Sequence, residues 1–225
     1  MYWSDDMEIR LEDIVKNYSR GRREFTVLDK VSFDIPAGRF TLITGDSGIG
    51  KSTLLGIIAG LIRPTSGKVF YDEKEITASN DDELSKIRNA HLGIVTQESD
   101  LIPYLTLEDN IRLTYEINNR GKVLDDSSFD EVLNALGLSE LKSSYPSEMS
   151  GGEIKRAAVA RALLIDPEVI IMDEPTANLD RKNVRNVLRL LRMYSDKGST
   201  VIISSHEEEA AVFADVIKDL EKEAV

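Results

Sequence analysis

Residues Gly45-Asp46-Ser47-Gly48-Ile49-Gly50-Lys51-Ser52 fit the pattern G-x-x-x-x-G-K-[ST], and no other stretch restricts the fold so much. The pattern works only as a loop between a buried strand and a helix. Its glycines let backbone N–H groups converge on an anion. The helix that follows adds its positive end to the same spot. The flanks agree with this: 39–44 is a short apolar strand, and 53–61 is apolar and helix-compatible. The arrangement predicts a nucleoside triphosphate site cradled by residues 45–53. Lys51 would reach the β- and γ-phosphates, and the Ser52 hydroxyl would ligate Mg²⁺.

The rest of the chain supplies the frame such a loop needs. Strands are expected over 8–15 and 27–35, and 36–38 (Pro-Ala-Gly) is a turn. A second turn at 64–67 leads to a strand over 68–71, a helix over 81–90 and a strand over 92–95 that ends near Gln97. From 98 to about 160 the pattern changes to helical spacing, over 107–115, 129–136 and 153–165, with polar linkers such as 121–128. Asp166-Pro167 stops the third of these helices. The run Val169-Ile170-Ile171-Met172 is too apolar to alternate, which suggests a strand covered on both faces of a parallel sheet. A helix over 183–193 and a strand over 200–204 follow, and the strand leads to His206.

Asp173-Glu174 closes that apolar strand. Open α/β sheets bind ligands at the carboxyl ends of their strands, so both acids should face the crevice of Lys51. Asp173 is then a candidate Mg²⁺ ligand. Glu174 precedes Pro175, which biases it away from helical geometry, and it is a candidate general base for an attacking water.

Bulk properties narrow the partners. With 28 basic and 40 acidic residues the net charge of this 225-residue chain is −12, which opposes binding to nucleic acid and to anionic membrane surfaces. The basic cluster Lys16, Arg20, Arg22 and Arg23 reads as a solvated loop between strands, and the acids at 207–209 as an exposed helix start. No cysteine is present, so there is no disulfide framework and no thiolate metal site. Nothing resembles a secretory signal or approaches the ~18 consecutive apolar residues of a membrane span. A cytoplasmic location is the expectation.

Further motifs bring a family into view. Asp173-Glu174-Pro175-Thr176-Ala177-Asn178-Leu179-Asp180 resembles the joined Walker B and D-loop of ATP-binding cassette (ABC) ATPases. Ser150-Gly151-Gly152-Glu153 resembles that family's signature, with Met149 in place of the usual leucine and Glu153 where glutamine is often found. Gln97 falls at the Q-loop glutamine, His206 at the switch histidine and Tyr18 at the adenine-stacking aromatic. The order and spacing of these motifs cover about residues 8–215.

The resemblance implies an α/β fold: a P-loop NTPase (RecA-like) core with a mostly parallel sheet, an N-terminal antiparallel β-subdomain and an inserted helical subdomain. The whole chain, 1–225, would be one ATP-binding domain, with its core at 1–97 and 161–225 and the helical subdomain at 98–160. The tail beyond residue 215 lacks the glycine turn that closes the family's last hairpin, which leaves its strands open.

The resemblance also implies ATP and Mg²⁺ as cofactors. Glu174, His206, Gln97 and Lys51 would be the catalytic residues, and Ser52, Gln97 and Asp173 the metal-site residues. Nucleotide contacts would come from Tyr18, Gly45, Asp46, Ser47, Gly48, Ile49, Gly50, Lys51, Ser52 and Thr53. Ser150, Gly151, Gly152, Glu153 and Asp180 would complete the site of a second ATP-binding subunit, expected to be an identical chain packed head to tail. Residues 97–106 and 64–67 look like the lipoprotein-release, macrolide-export and cell-division cassettes. That subgroup implies an ATPase coupled to a transmembrane permease subunit and held at the inner face of the membrane only through it. Leu101, Ile102 and Tyr104 are candidates for the groove that receives this partner. Export or extraction of a lipid-linked, peptide or drug-like substrate is the leading expectation. The alternative is a non-transporting cassette that regulates envelope or division machinery through a membrane partner.

Overall fold

Two sheets of different construction share one wall of the molecule, and the computed structural model describes them over residues 7–21, 23–98, 101–119 and 122–223. Residues 1–6, Arg22 of the basic cluster, positions 99 and 100 of the 97–106 segment, and Gly121 at the head of the polar linker lie outside the described residues.

The first sheet is antiparallel. Strands β1 (Ile9–Arg20) and β2 (Arg23–Ile35) pair from Ile9↔Ile35 to Arg20↔Arg23. The basic cluster is therefore not a loop between strands: Lys16 and Arg20 lie within β1, and Arg23 opens β2. The ladder continues because Asn17↔Thr26 and Tyr18↔Phe25 supply β-favouring cross-strand pairs, and Gly21 takes the turn at φ 65°. Register shifts between Leu11 and Asn17 bend β1, which separates its buried base from its exposed tip.

Strand β3 (Phe40–Thr44) runs into the phosphate loop and helix α1 (Lys51–Ile58). Strands β4 (Ser66–Tyr71) and β5 (Lys74–Glu75) complete the first sheet in the order β2-β1-β4-β5. Helix α2 (Asp81–His91) starts at a capping box formed by Asn80 and Glu83, and strand β6 (Leu92–Val95) follows it directly.

Helices α3 (Leu107–Asn118), α4 (Asp126–Ala135) and α5 (Gly151–Leu163) form the predicted helical stretch. Helix α3 begins where its apolar periodicity does, and α4 and α5 begin three and two residues before theirs, because a cap sets each start: Thr106, Asp125 and Ser150 all accept a backbone N–H with their side chains. Strand β7 (Val169–Asp173), helix α6 (Arg181–Asp196), strand β8 (Thr200–Ser204) and helix α7 (Glu208–Phe213) come next. The tail then forms strand β9 (Val216–Asp219) and a single helical turn, α8 (Leu220–Glu223). No glycine turn is required, because β9 does not enter a hairpin. It pairs parallel with β3, from Thr41↔Val216 to Thr44↔Asp219.

The second sheet has the order β6-β7-β8-β3-β9, and all its pairings are parallel. Strands β3, β7 and β8 are buried on both faces, as their unbroken apolar runs require, while the edge strand β9 is partly exposed. Alternate residues divide between two cores. Phe40, Leu42, Ile170, Met172, Val201 and Ile203 pack with the helical stretch and α6. Ile43, Val169, Ile171 and Ile202 pack with α1 and the antiparallel sheet. Full burial of each such aliphatic side chain contributes about 1.5–3 kcal/mol. Parallel alignment brings the residues after β3, β6, β7 and β8 to the same edge of the sheet. The phosphate loop, Gln97, Glu174 and His206 all emerge there.

Candidate nucleotide site

A cleft of about 420 Å³ at that carboxyl edge is lined by Tyr18, Ser47, Gly48, Gly50, Lys51, Ser52, Thr53, Gln97, Glu174 and His206, all expected from the sequence. Phe25 and Val27 line it as well. A second cleft of about 370 Å³ opens beside the first; Ser52 and Gln97 line both, and Asp173 joins them in the second.

The loop is tightly folded on itself. Lys51 is nearly buried and its Nζ donates to the Gly45 carbonyl (2.7 Å) and the Asp46 carbonyl (3.0 Å). Ile49 N also donates to the Asp46 carbonyl, at 3.3 Å. Gly50 has φ 115°, and a Cβ there would stand 2.8 Å from Leu28 Cδ2 and 2.9 Å from Val27 Cγ1. Only glycine lets the loop pass this close to β2 at that backbone angle.

Lys51 Nζ lies 3.1 Å from His206 Nε2. An ammonium has protons and no lone pair, so in this contact Lys51 is the donor. The same Nε2 is 3.4 Å from Ser47 Oγ and 3.4 Å from Glu174 Oε1. The four side chains therefore form one connected group over the mouth of the loop.

The two acids are set by a residue that sequence reasoning passed over. Ser204, fully buried at the end of β8, donates from Oγ to Asp173 Oδ1 at 2.6 Å and accepts the Glu174 backbone N–H at 3.0 Å. Asp173 pairs with Ser204 in the parallel register, which is why one hydroxyl reaches both. Glu174 avoids the right-handed helical region, as its proline neighbour demands, but not by extending: its φ is 50°, in the left-handed region. Such a conformation costs on the order of 1–3 kcal/mol and persists only where its surroundings fix it.

One side of the cleft is an aromatic pair. Tyr18 and Phe25 stack with ring centroids 6.1 Å apart, and Lys16 Nζ lies 5.0 Å from the Tyr18 ring. Lys16 Nζ also donates to the Arg63 carbonyl at 2.8 Å. Phe25 is half exposed, and the signal for it was its place opposite Tyr18 across a short turn.

The donor set fits magnesium. Mg²⁺ takes one or two carboxylates and leaves the rest of its shell to substrate phosphates and water. Here a hydroxyl (Ser52), an amide (Gln97) and one buried carboxylate (Asp173) share a cleft. Among the described residues no group of three or more His, Asp or Glu converges as a closed metal cage.

Ser150, Gly151, Gly152, Glu153 and Asp180 are held elsewhere. None of them lines either cleft. Ser150 caps α5 in a reciprocal box: its N–H and Oγ both donate to Glu153 Oε2, each at 2.7 Å, and its Oγ accepts the Glu153 N–H at 3.4 Å. The Ser150 backbone N–H, then its hydroxyl, holds the Glu153 carboxyl below the usual range. Asp180 caps α6 and accepts from Asn183 N at 3.0 Å, which lowers its carboxyl too. One link ties the signature helix to the cleft: Lys155 Nζ donates to the Gln97 carbonyl at 3.3 Å. Burial pulls the Lys155 ammonium down, against the opposing charges of Asp173 and Glu174.

Of the three residues expected at a partner groove, Leu101 packs into the helical core instead, while Ile102 and Tyr104 are exposed. Asn110 fixes their loop, accepting from Ile102 N (2.7 Å) and donating to the carbonyls of Ile102, Leu105 and Thr106. His91 stands apart from the cleft and pairs with Glu168 at 2.9 Å.

Residues 28–177 match the family model described as ABC transporter. The chain belongs to the ABC transporter family. This cassette is 37% identical over 214 residues to an uncharacterised ABC transporter ATP-binding protein, MJ0796, of Methanocaldococcus jannaschii, covering 93% of this chain and 91% of that one. It is 40% identical over 206 residues to the lipoprotein-releasing system ATP-binding protein LolD 1 of Chlorobium chlorochromatii, covering 89% and 82%. The macrolide export ATP-binding/permease protein MacB of Burkholderia pseudomallei is 37% identical over 206 residues, and there the match spans 92% of this chain but 32% of the relative. Among solved structures, the dimeric post-hydrolysis MJ0796 cassette bound to ADP and Pi superposes with a TM-score of 0.88 at 35% identity, covering 94% and 93% of the two chains. The cassette thus has the P-loop NTPase fold, with its parallel core sheet, N-terminal antiparallel sheet and inserted helices.

Proposed function

We propose that this cassette is the ATP-binding and ATP-hydrolysing subunit of an ABC transporter, closing as a dimer of identical chains on ATP to drive a transmembrane permease. The observation that carries this is the convergence of Lys51, Ser52, Gln97, Glu174 and His206 on one cleft at the carboxyl edge of the sheet. The names of the relatives, a lipoprotein-releasing system and a macrolide exporter, support export or extraction of a lipid-linked, peptide or drug-like substrate over a role that moves nothing. The dimeric, ADP- and Pi-bound relative supports pairing of two chains. So does the absence of Ser150–Glu153 and Asp180 from the lining of the two clefts, since these residues at helix starts then remain for the opposite chain's nucleotide. Among the described residues no helix is long and apolar enough to cross a membrane. We place the cassette in the cytoplasm, at the inner face of the membrane and held there by the permease.

The roles follow from the geometry. The stacked Tyr18 ring takes the base, while the loop N–H groups and Lys51 take the phosphates. Ser52 and Asp173, with Gln97 beside them, would hold Mg²⁺, which would neutralise charge on the phosphate oxygens. Glu174 is the general base, and the bond from its N–H to Ser204 fixes the backbone that aims it. Lys51 leaves the Gly45 and Asp46 carbonyls for the phosphates, which frees His206 Nε2 to meet the γ-phosphate. Ser150 and the N–H groups of Gly151 and Gly152 cap that phosphate from the other chain. Catalysis is then mainly positioning and charge stabilisation.

The test is Glu174→Gln. Nucleotide affinity should stay near that of the unaltered chain, turnover should fall by about 100-fold or more, and an ATP-bound dimer should accumulate in size-exclusion chromatography. Unimpaired phosphate release by this variant would remove Glu174 from its role.

A further inference from the structure

The C-terminal turn reaches the phosphate loop. Strand β9 lies parallel to β3 with Thr44 opposite Asp219, so the residues that follow each strand emerge side by side. Leu220 is buried, and its Cβ lies 3.6 Å from where a Cβ on Gly45 would stand. One residue later, the Asp46 backbone N–H donates to Glu221 Oε1 at 3.2 Å. The turn is itself braced: Glu221 N donates to Asp219 Oδ1 at 3.2 Å and Lys222 pairs with Asp219 at 2.8 Å, whereas Lys218 and Glu223 stand 3.8 Å apart, beyond hydrogen-bond reach.

We infer that Glu221 is a positioning residue for the phosphate loop: its carboxylate grips the peptide that opens the loop and, through it, sets Lys51. This rests on the proposed nucleotide role of the loop and adds a residue to it. Asp46 is held at both ends, its N–H by Glu221 and its carbonyl by Lys51 Nζ and Ile49 N. A carboxylate is the strongest side-chain acceptor a backbone N–H can find. With Glu221 in place, the Asp46 carbonyl has a fixed position from which Lys51 departs to the phosphates and to which it returns. Without it, the loop's first peptide is free to rotate, and the cradle must be ordered anew each time nucleotide binds. Glu221 touches no nucleotide in this scheme and acts only through Asp46.

The test uses the full chain and ADP with Mg²⁺, so that dimer closure does not enter the measurement. Glu221→Ala should raise the ADP dissociation constant by about fivefold, the size seen when a carboxylate capping a backbone N–H is removed. Glu221→Gln, which keeps an acceptor oxygen, should restore most of that affinity. Glu223→Gln removes one charge from the same turn but no acceptor from Asp46, and should leave the constant unchanged. Amide hydrogen exchange at Asp46 gives a second reading: faster in Glu221→Ala, restored in Glu221→Gln, whatever the melting temperatures. Unchanged ADP affinity in Glu221→Ala, or an equal loss in the Glu223→Gln control, would overturn the assignment while leaving the nucleotide site intact. An unaltered chain that bound no ADP would remove both.

Discussion

Ser204 shows how much one buried hydroxyl organises. It gives its proton to Asp173 and takes one from the Glu174 backbone, so a candidate metal ligand and a candidate base share a single anchor. A serine ending an apolar strand carries no motif, and its importance depends on the parallel pairing Asp173↔Ser204 that only the fold supplies. Tyr18 is the opposite case: an aromatic near a hairpin tip, stacked on Phe25 and a candidate platform for the base. Tyr18→Ala should weaken ATP binding by ~1–3 kcal/mol, by analogy with base–aromatic stacking elsewhere. A nucleotide titration that matched the unaltered chain would reduce the ring to hairpin packing with Phe25.

Among elements, the start of α5 couples a cap to a charge. The Glu153 carboxyl is held below its usual range by the Ser150 N–H and hydroxyl. A carboxyl with a depressed folded-state pKa stabilises the fold above its unfolded value and loses that contribution as pH falls through the folded one. Glu153→Gln keeps an acceptor for the box but not the charge. Its melting temperature should therefore lie below that of the unaltered chain at pH 7, and the gap should close as the pH falls below about 4. Thermal melts followed by circular dichroism across that range check it; a gap that stayed constant would mean the charge contributes nothing at this helix start. The element boundaries teach the same lesson. Apolar spacing located all three helices and the start of α3, but placed the starts of α4 and α5 late, since Asp125 and Ser150 begin those helices through polar side chains. The charged residues of the hairpin tip suggest a loop, whereas Tyr18↔Phe25 and Asn17↔Thr26 keep the ladder going. The phosphate loop, the two acids, Gln97 and His206 were legible because each follows a strand whose apolar run announces it. Glu221 was not, because it reaches the loop through a contact between distant segments, and Phe25 was hidden because its place opposite Tyr18 depends on the ladder continuing to the hairpin tip.

At the scale of the whole molecule, the placement of the signature is the main constraint. Its helix packs in the same chain as the phosphate loop, yet Ser150 to Glu153 line neither cleft. A bulky cation on that face should block closure without touching the resident site. Ser150→Arg is expected to bind nucleotide as a single chain with unchanged affinity while losing ATP-dependent dimerisation, read by light scattering on a Glu174→Gln background. Dimers of normal size and stability would contradict sites shared between chains.

The parallel sheet also acts as a bulkhead. Ile171 and Met172 are neighbours in β7, but one answers to the compartment beneath the hairpin and the other to the helical compartment. Strand β7 ends at Asp173, so the lever that carries the two acids is gripped independently from each side. Packing on either face therefore bears on the same strand end, where Asp173 and Glu174 sit.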